Sequence, residues 1–117
     1  MIASVIYNRL NKGMSLGCDA TTYYAFKIEL GSRDLYKSEI NTYNPYNTRG
    51  PNMAGKIPVG PICMSSKSSI EAALNPDTSD YLYYVTDNKG KAYFTKNAAE
   101  HEAKIKELKA IGAWATF

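Results

Sequence analysis

The segment TYNPYNTRGPNMAGKIPVGPI, Thr42–Ile62, limits the possible folds of this chain more than any other stretch. It contains four prolines and three glycines, and neither a helix nor an inner strand tolerates that mixture. Long loops inside compact domains are usually functional or disordered. Apolar anchors that argue against disorder recur along the segment: Tyr43, Tyr46, Met53, Ile57, Val59 and Ile62. We therefore predict a long, ordered, Pro/Gly-rich loop.

The sequence before this loop indicates short helices. Four apolar residues share one helical face and predict the first helix: Ile2, Val5, Ile6 and Leu10. Gly13 suits the C-terminal cap of that helix. The stretch ATTYYAFKIELG favours a second short helix that ends at Gly31, and Ser32 and Ser38 are candidate N-caps of further helical turns.

The sequence after the loop mixes helix and strand signals. Ser68 and Glu71 have the spacing of a capping box for the helix SSIEAAL, which Asn75–Pro76 would stop. The β-rich run YLYYVT, the turn signal DNKG and the return run KAYFT predict a β-hairpin over Tyr81–Thr95.

A last helix is predicted after the hairpin, with Asn97 and Glu100 as its capping pair. One side of that helix carries three apolar residues, Ile105, Leu108 and Ile111. The apolar tail Trp114–Phe117 is either a core clamp or a surface that another domain covers. The chain of 117 residues is of a length typical of one domain, and we predict a single α+β domain over residues 1–117.

Composition and charge narrow the functional classes. The net charge is +3, and no Arg/Lys cluster with interleaved aromatics indicates nucleic-acid binding. One histidine and two cysteines, Cys18 and Cys63, show no zinc-binding pattern. The cysteines could pair in an oxidising compartment or be small buried hydrophobic residues. No apolar stretch approaches the ~20 residues of a membrane span.

Common catalytic motifs are missing from the sequence. The lone His101 has no orienting partner, so a surface or packing role is favoured, and neither a GxSxG elbow nor a glycine-rich phosphate loop occurs. Asp19 lies between Leu16 and an aromatic run, where it could cap the helix ATTYYAF or face a groove. Eight other carboxylates are in stretches that suggest solvated charges: Asp34, Glu39, Asp77, Asp80, Asp87, Glu100, Glu102 and Glu107.

Five strings in a fixed order carry a family resemblance: ASVIYNRLNKGMSLGCDATTYYAF, PYNTRG, IPVGPI, SIEAALNP and YLYYVTDNKGKAYF. From Ala3 to about His101 the chain resembles the catalytic domain of the YceG-like (MltG) family of endolytic murein transglycosylases. The resemblance implies an extracytoplasmic, membrane-anchored enzyme that cleaves the β-1,4 bond between N-acetylmuramic acid and N-acetylglucosamine. Such cleavage leaves a 1,6-anhydro-muramic end and terminates nascent glycan strands.

The resemblance also implies where the catalytic acid lies. A lytic transglycosylase uses the sugar's own 6-hydroxyl as nucleophile, so one glutamic acid can serve as acid and then as base. In the family that glutamate shortly precedes the ASVIYNRL motif, which here would place it upstream of Met1. We therefore expect a fragment without its catalytic residue and without activity of its own. No cofactor or metal ion is expected, and the membrane anchor would also precede the chain.

The resemblance supplies the candidate substrate-binding residues. Asp19 and Thr21 match the family's DPT motif, with Ala20 in place of the proline. Tyr46, Asn47 and Thr48 match its YNT motif. Gly60 belongs to its Pro-Gly-Pro-Ile turn.

Other positions match or depart from the family pattern. Asn8–Arg9 match its NRL motif. A glutamine before the DPT motif is replaced in the region of Gly17–Cys18, a histidine of the return strand is Ala92, and an NPG motif has become Met64–Ser66. These differences suggest a divergent branch.

On this basis the loop Thr42–Ile62 is predicted to form a wall of a glycan groove. Tyr43 or Tyr46 could stack on a sugar, Asn47 could hydrogen-bond an N-acetyl or hydroxyl group, and Gly60 could permit a tight turn or close approach of the sugar. The same loop could instead pack as a simple Ω-like cap. Two alternatives to an enzyme domain are a non-catalytic peptidoglycan-binding module and a module that docks on cell-wall synthesis proteins.

Overall fold

The structure is a computed structural model that describes residues 1–30 and 32–114. Within these residues it has five helices and one antiparallel sheet of two strands, which confirms the α+β class. The elements are α1 (Ile2–Asn11), α2 (Asp19–Ala25), α3 (Lys37–Ile40), α4 (Lys67–Leu74), β1 (Tyr83–Thr86), β2 (Ala92–Thr95) and α5 (Ala98–Ala110). The segment between α3 and α4 has neither helix nor strand.

The chain divides into two compact units. Among the described residues, the first unit combines residues 1–8 with residues 71–114, and the second unit lies within residues 9–70. A single domain over the whole chain stays a prediction.

The first unit is built on the predicted hairpin, which is confirmed. Strands β1 and β2 pair from Tyr83 opposite Thr95 to Thr86 opposite Ala92, and α5 packs on both strands. The Asp87 carboxylate closes the turn by accepting the backbone N–H groups of Lys89 and Lys91, each at 2.9 Å. These bonds satisfy turn donors that the short ladder leaves unpaired.

The ends of α5 follow local signals. The Asn97 side chain accepts the Glu100 N–H at 2.9 Å, as predicted. Leu108 is only 2 % exposed, whereas Ile111 is 68 % exposed. These two residues of one predicted helix side therefore differ in burial, because α5 ends at Ala110 and Ile111 is its C-cap.

The apolar tail is described only at Trp114. This residue is half-buried, forms an isolated bridge with Asp87, and has the Lys109 ammonium 4.9 Å from its ring centre. The rest of the predicted tail, Ala115–Phe117, lies outside the described residues.

In the second unit, Gly13 ends α1 as predicted. It adopts φ +69°, a conformation that L-residues with a side chain rarely take. Its N–H donates to the Leu10 carbonyl at 3.1 Å and the Met14 N–H donates to the Arg9 carbonyl at 2.9 Å. This is the Schellman pattern, which satisfies carbonyls that the helix end leaves open.

The expected end of α2 at Gly31 is wrong, because the helix stops at Ala25. Lys27 takes φ +56°, and the Ile28 N–H then donates to the Tyr23 carbonyl at 2.9 Å. A Schellman cap thus forms without glycine, which no glycine-based signal could reveal. Gly31 itself lies outside the described residues.

The predicted N-caps at Ser32, Ser38 and Ser68 are also wrong. Helix α3 starts after Tyr36, whose N–H donates to the Glu39 carboxylate at 2.8 Å. Ser32 instead donates its hydroxyl to the Glu29 carbonyl, and Ser38 lies inside α3.

Helix α4 begins two residues earlier than the capping box predicts. Ser66, rather than Ser68, accepts the Ser69 N–H at 3.2 Å, so the expected Ser68–Glu71 box does not form the cap. Serines stand at 65, 66, 68 and 69, and any of them could start a helix. The predicted stop holds, because α4 ends at Leu74, just before Asn75–Pro76.

Truncating Leu108 tests the packing of α5. We expect Leu108→Ala to lower the free energy of unfolding by about 2–5 kcal/mol, since it leaves a cavity at a fully buried site. Ile111→Ala removes similar carbon atoms from an exposed site and should cost less than about 0.5 kcal/mol. Urea unfolding followed by circular dichroism measures both, and equal losses would contradict the assigned burial.

Candidate functional site

Asp19 is the first residue of α2, not its N-cap. The N-cap is Cys18, which makes no side-chain capping bond, so the capping interpretation of Asp19 is wrong. Its carboxylate accepts from Arg49 Nη1 at 2.6 Å. An ion pair therefore links the start of α2 to the loop that follows α3.

Beside this ion pair, two threonines join the same segments through buried hydroxyls. Thr48 is 0 % and Thr21 is 7 % exposed, and their Oγ1 atoms are 2.7 Å apart. The Cys18 N–H donates to Thr48 Oγ1 at 2.8 Å, and Thr21 Oγ1 donates to the Cys18 carbonyl at 2.7 Å. If Thr48 donates to Thr21, each hydroxyl has a donor and an acceptor role, so the cluster is fully satisfied.

The Asn47 side chain is the centre of a second buried cluster. It is 0 % exposed, and its Oδ1 accepts from Thr22 Oγ1 at 2.7 Å and from the Arg49 N–H at 3.2 Å. Its Nδ2 donates to three backbone carbonyls within 3.2 Å, those of Glu39, Ile40 and Thr42. The amide predicted to bind sugar is therefore used within the protein.

Gly50 is a part of this cluster that sequence reasoning missed. A Cβ atom at Gly50 would lie 2.7 Å from Asn47 Nδ2 and 2.9 Å from the Thr42 carbonyl oxygen. Both distances are too short for any side chain. Glycine is thus required for the loop to close over Asn47, and the string YNTRG carried the only hint.

Tyr46 and Gly60 are brought together. A Cβ at Gly60 would lie 3.2 Å from the Tyr46 hydroxyl, so the close approach that Gly60 permits in this structure is to Tyr46. The Tyr46 ring meets the Tyr24 ring edge-on, with centres 4.9 Å apart and planes at 62°. This geometry is favourable for aromatic pairs.

These tyrosines border a cavity of about 750 Å³. Its walls come from α2 with the residues just after it and from the start of the loop: Tyr23, Tyr24, Lys27, Glu29, Asn44 and Tyr46 are among them. Tyr43 is more than half exposed and borders a separate hollow of about 540 Å³ with Leu10, Met53, Ile57 and Val59. Tyr43 and Tyr46, the alternative stacking residues, therefore belong to different cavities.

Cys18 and Cys63 are both free. Cys63 is exposed and Cys18 is half-buried, so they neither pair nor both serve as buried hydrophobic residues. Burial raises the pKa of the Cys18 thiol, while the Arg9 charge opposes that rise.

The remaining motif residues have internal partners. Asn8 Nδ2 donates to the carbonyls of Ser79 and Tyr81 at 2.8 and 2.9 Å. Arg9 Nη1 donates to the Ser15 and Leu16 carbonyls at 2.8 and 3.2 Å. Asn8 thus hydrogen-bonds backbone carbonyls of the first unit, and Arg9 hydrogen-bonds backbone carbonyls of the second.

His101 is half-buried, with its ring centre 5.1 Å from that of Tyr83, which fits the predicted packing role. Across residues 1–30 and 32–114, no group of three or more His, Cys, Asp or Glu side chains is arranged to hold a metal ion. No helix in the same ranges has the length and apolar character needed to cross a membrane.

The profile of the YceG-like family matches residues 1–107. The chain therefore belongs to the YceG-like family, and the resemblance drawn from its five strings is confirmed.

Named relatives and one solved structure support this assignment. A Bacillus subtilis (strain 168) protein named endolytic murein transglycosylase is 46% identical over 106 residues, which are 91% of this chain and 28% of that protein. Its namesake in Streptococcus pneumoniae serotype 2 (strain D39) is 34% identical over 112 residues, 92% of this chain and 20% of that protein.

A 2.6 Å crystal structure of a YceG-like protein from Listeria monocytogenes matches the fold with a TM-score of 0.78 and 44% identity. The match covers 89% of this chain and 33% of that one. The chain thus spans between a fifth and a third of the length of the proteins it matches.

Removing the Asn47 amide separates a structural role from a surface role. We expect Asn47→Ala to lower the free energy of unfolding by about 2–4 kcal/mol, since each buried polar group left unpaired costs about 1–3 kcal/mol. The control Asn41→Ala removes an exposed amide from the same unit and should change stability by less than about 0.5 kcal/mol. Chemical denaturation of the two variants gives both values. An Asn47→Ala protein as stable as Asn41→Ala would contradict the buried network.

Proposed function

We propose that this chain supplies the glycan-binding part of an endolytic murein transglycosylase. The longer protein cleaves the β-1,4 bond between N-acetylmuramic acid and N-acetylglucosamine and leaves a 1,6-anhydro end that terminates nascent strands. Family membership and the names of the two relatives support this reaction. The observation that carries the binding role is the buried network that ties the Tyr46 loop to α2 beside a tyrosine-lined cavity.

The predicted site residues divide into two groups in this proposal. Asn47, Thr48 and Thr21 are buried, so they act as positioning residues that hold the loop against α2. Tyr46 borders the cavity and Asp19 is partly exposed, so these side chains touch the glycan. A wall that is ordered before binding loses little conformational entropy when the ligand arrives.

Tyr46 is the stacking residue in this proposal. Its edge-on contact with Tyr24 holds the ring in place, and Gly60 leaves room for its hydroxyl. A pyranose has an apolar C–H face that packs well on an aromatic ring, and the tyrosine hydroxyl can hydrogen-bond a sugar substituent. Asn44 Oδ1 at the same cavity accepts the Tyr46 N–H at 2.8 Å, and its Nδ2 is the donor offered to N-acetyl or hydroxyl oxygens.

The catalytic acid is a glutamate outside these 117 residues in this proposal. The acid must protonate the leaving oxygen and then accept the proton of the 6-hydroxyl, which calls for a raised carboxyl pKa. Two carboxyls here have the opposite property. The Arg33 guanidinium and the Tyr36 N–H lower the pKa of Glu39, and the backbone N–H groups of Lys91 and Lys89 lower that of Asp87.

The location and partners follow from the substrate. Murein lies outside the cytoplasm, so we place the working protein there, attached to the cell membrane by a part beyond the described residues. Peptidoglycan glycan strands are the partner of this chain, and contacts with cell-wall synthesis proteins belong to the longer protein.

Two conservative variants test which tyrosine binds glycan. We expect Tyr46→Leu to weaken binding of soluble peptidoglycan glycan oligomers about threefold to tenfold, in line with the ~0.5–1.5 kcal/mol of a specific aromatic contact. Tyr43→Leu, which alters the other cavity, should leave the affinity within about twofold. Isothermal titration calorimetry measures both, with circular dichroism as a check on folding. A larger loss for Tyr43→Leu would move the site to the other cavity.

Digestion of purified peptidoglycan tests the position of the acid. This chain alone should release no anhydro-muropeptides above background, since a general acid is worth ~10²–10⁴ in rate. A longer protein that includes the upstream glutamate should release them, as mass analysis of the products would show.

Two outcomes would change the proposal. Robust release by the 117-residue chain would place the acid within it, with Asp19 as the first residue to test. A longer protein that binds glycan but never cleaves it would favour the alternative of a non-catalytic peptidoglycan-binding module.

A further inference from the structure

Arg49 is a charged residue beside the proposed glycan site to which no role has been given. Its side chain is 37% exposed, and Nη1 donates to the Asp19 carboxylate at 2.6 Å. It follows directly on the buried pair Asn47 and Thr48, in the same loop as Tyr46. It is therefore a partly exposed cation beside Asp19, in the loop that also carries Tyr46.

The backbone around Arg49 is held on both sides. Its own N–H donates to Asn47 Oδ1 at 3.2 Å, and the preceding Thr48 is 0 % exposed. The following Gly50 has no room for a Cβ atom. A guanidinium on such a rigid mount loses little freedom when it binds a ligand, which favours specific recognition.

Arg33 shows what a structural arginine looks like in the same unit. Its two Nη atoms bind both carboxylate oxygens of Glu39 at 2.9 Å, and its guanidinium lies 4.0 Å from the Tyr36 ring centre. The contact of Arg49 with Asp19 uses one nitrogen of the fork. A guanidinium can bind a planar carboxylate through two parallel hydrogen bonds. Arg49 still has a pair of N–H groups that can make such a contact.

A second arginine, Arg9, also lies beside the segment that leads into α2. Arg9 Nη1 would lie 3.6 Å from a Cβ at Gly17, so a second guanidinium flanks the segment that leads into Asp19. Arg9 and Asp19 both act electrostatically on the Cys18 thiol. Arg49 contacts Asp19 through Nη1 alone, so its other N–H groups remain for an anionic ligand at this end of α2.

We propose that Arg49 binds a carboxylate carried by the muramyl residues of the glycan strand. This inference rests on the proposed function and names the part of the substrate that the site reads. N-acetylglucosamine is neutral, whereas N-acetylmuramic acid carries a lactyl carboxylate or, where that group is amide-linked, a peptide with carboxylates of its own. Recognition of that charge sets the register of an alternating polymer, so that every second glycosidic bond is presented.

Three soluble probes test the inference by calorimetry. The first is a peptide-free oligomer of alternating N-acetylglucosamine and N-acetylmuramic acid, the second is the same oligomer with its lactyl carboxylates converted to methylamides, and the third carries stem peptides. We expect the wild-type chain to prefer a carboxylate-bearing oligomer over the methylamide about threefold to tenfold, as for a partly exposed charged hydrogen bond. The preference should shrink as salt is raised.

Matched variants assign the preference to Arg49. Arg49→Gln should bind the charged and methylamide oligomers equally, and Arg49→Lys, which keeps the charge without the fork, should retain part of the preference. Lys56→Gln makes the same change in net charge at another exposed position of the unit and should keep the full preference. Thermal melts verify that each variant is folded. If Arg49→Gln does not fold, Arg49→Lys still tests whether the two-pronged guanidinium geometry is needed.

Each outcome supports or overturns the inference. A charge preference that survives in Arg49→Gln, or a wild-type chain that binds charged and neutral oligomers equally, overturns it and leaves glycan binding intact. A wild-type chain that binds none of the oligomers overturns the proposed function and this inference with it. When the preference depends on Arg49, tighter binding of the peptide-free probe identifies the lactyl carboxylate, and tighter binding of the third probe identifies the peptide.

Discussion

The side-chain amide of Asn47 is the interaction on which the rest of the second unit depends. The loop after α3 has no ladder or helix to pair its backbone groups, and buried polar groups must find partners. Asn47 Nδ2 donates to the carbonyls of Glu39 and Ile40 at the end of α3 and to the Thr42 carbonyl further along. One side chain thus supplies hydrogen bonds to backbone carbonyls in a segment whose prolines and glycines exclude helix and strand.

This arrangement explains why neighbouring residues of one motif have different roles. Asn47 and Thr48 are buried, while Tyr46 before them is half-buried and Arg49 after them is exposed. The two inner residues anchor to Thr22 and Thr21 of α2. The two outer residues are therefore held at fixed positions on the surface, and the anchoring requires Gly50 because any side chain there would displace the Asn47 amide.

Sequence reasoning succeeded where a signal is local and failed where it depends on distant partners. The DNKG turn, Gly13 and the Asn97–Glu100 pair act within a few residues, so the hairpin and several helix ends were predictable. The cap of α4 at Ser66 was not, since several serines offer equivalent local signals, and neither was the turn at Lys27. For the site, the resemblance selected Asn47 but not its burial, because that burial depends on Thr22 and on the end of α3. Arg49 and Gly50 follow the YNT motif within the string PYNTRG, but neither was assigned a role from the sequence.

The proposed reaction makes a rigid wall more important than a second catalytic group would be. The nucleophile is a hydroxyl of the substrate itself. The rate of cleavage therefore depends on how well the sugar ring is held in a reactive conformation. Orientation of this kind can contribute as much to a rate as acid catalysis does. A wall that shifted by an ångström would lose that gain, which gives a physical reason to bury the polar side chains of Asn47 and Thr48. The buried amide and hydroxyl groups that hold the loop then serve the reaction without touching the glycan. Recognition of the glycan is left to the exposed side chains of the same loop.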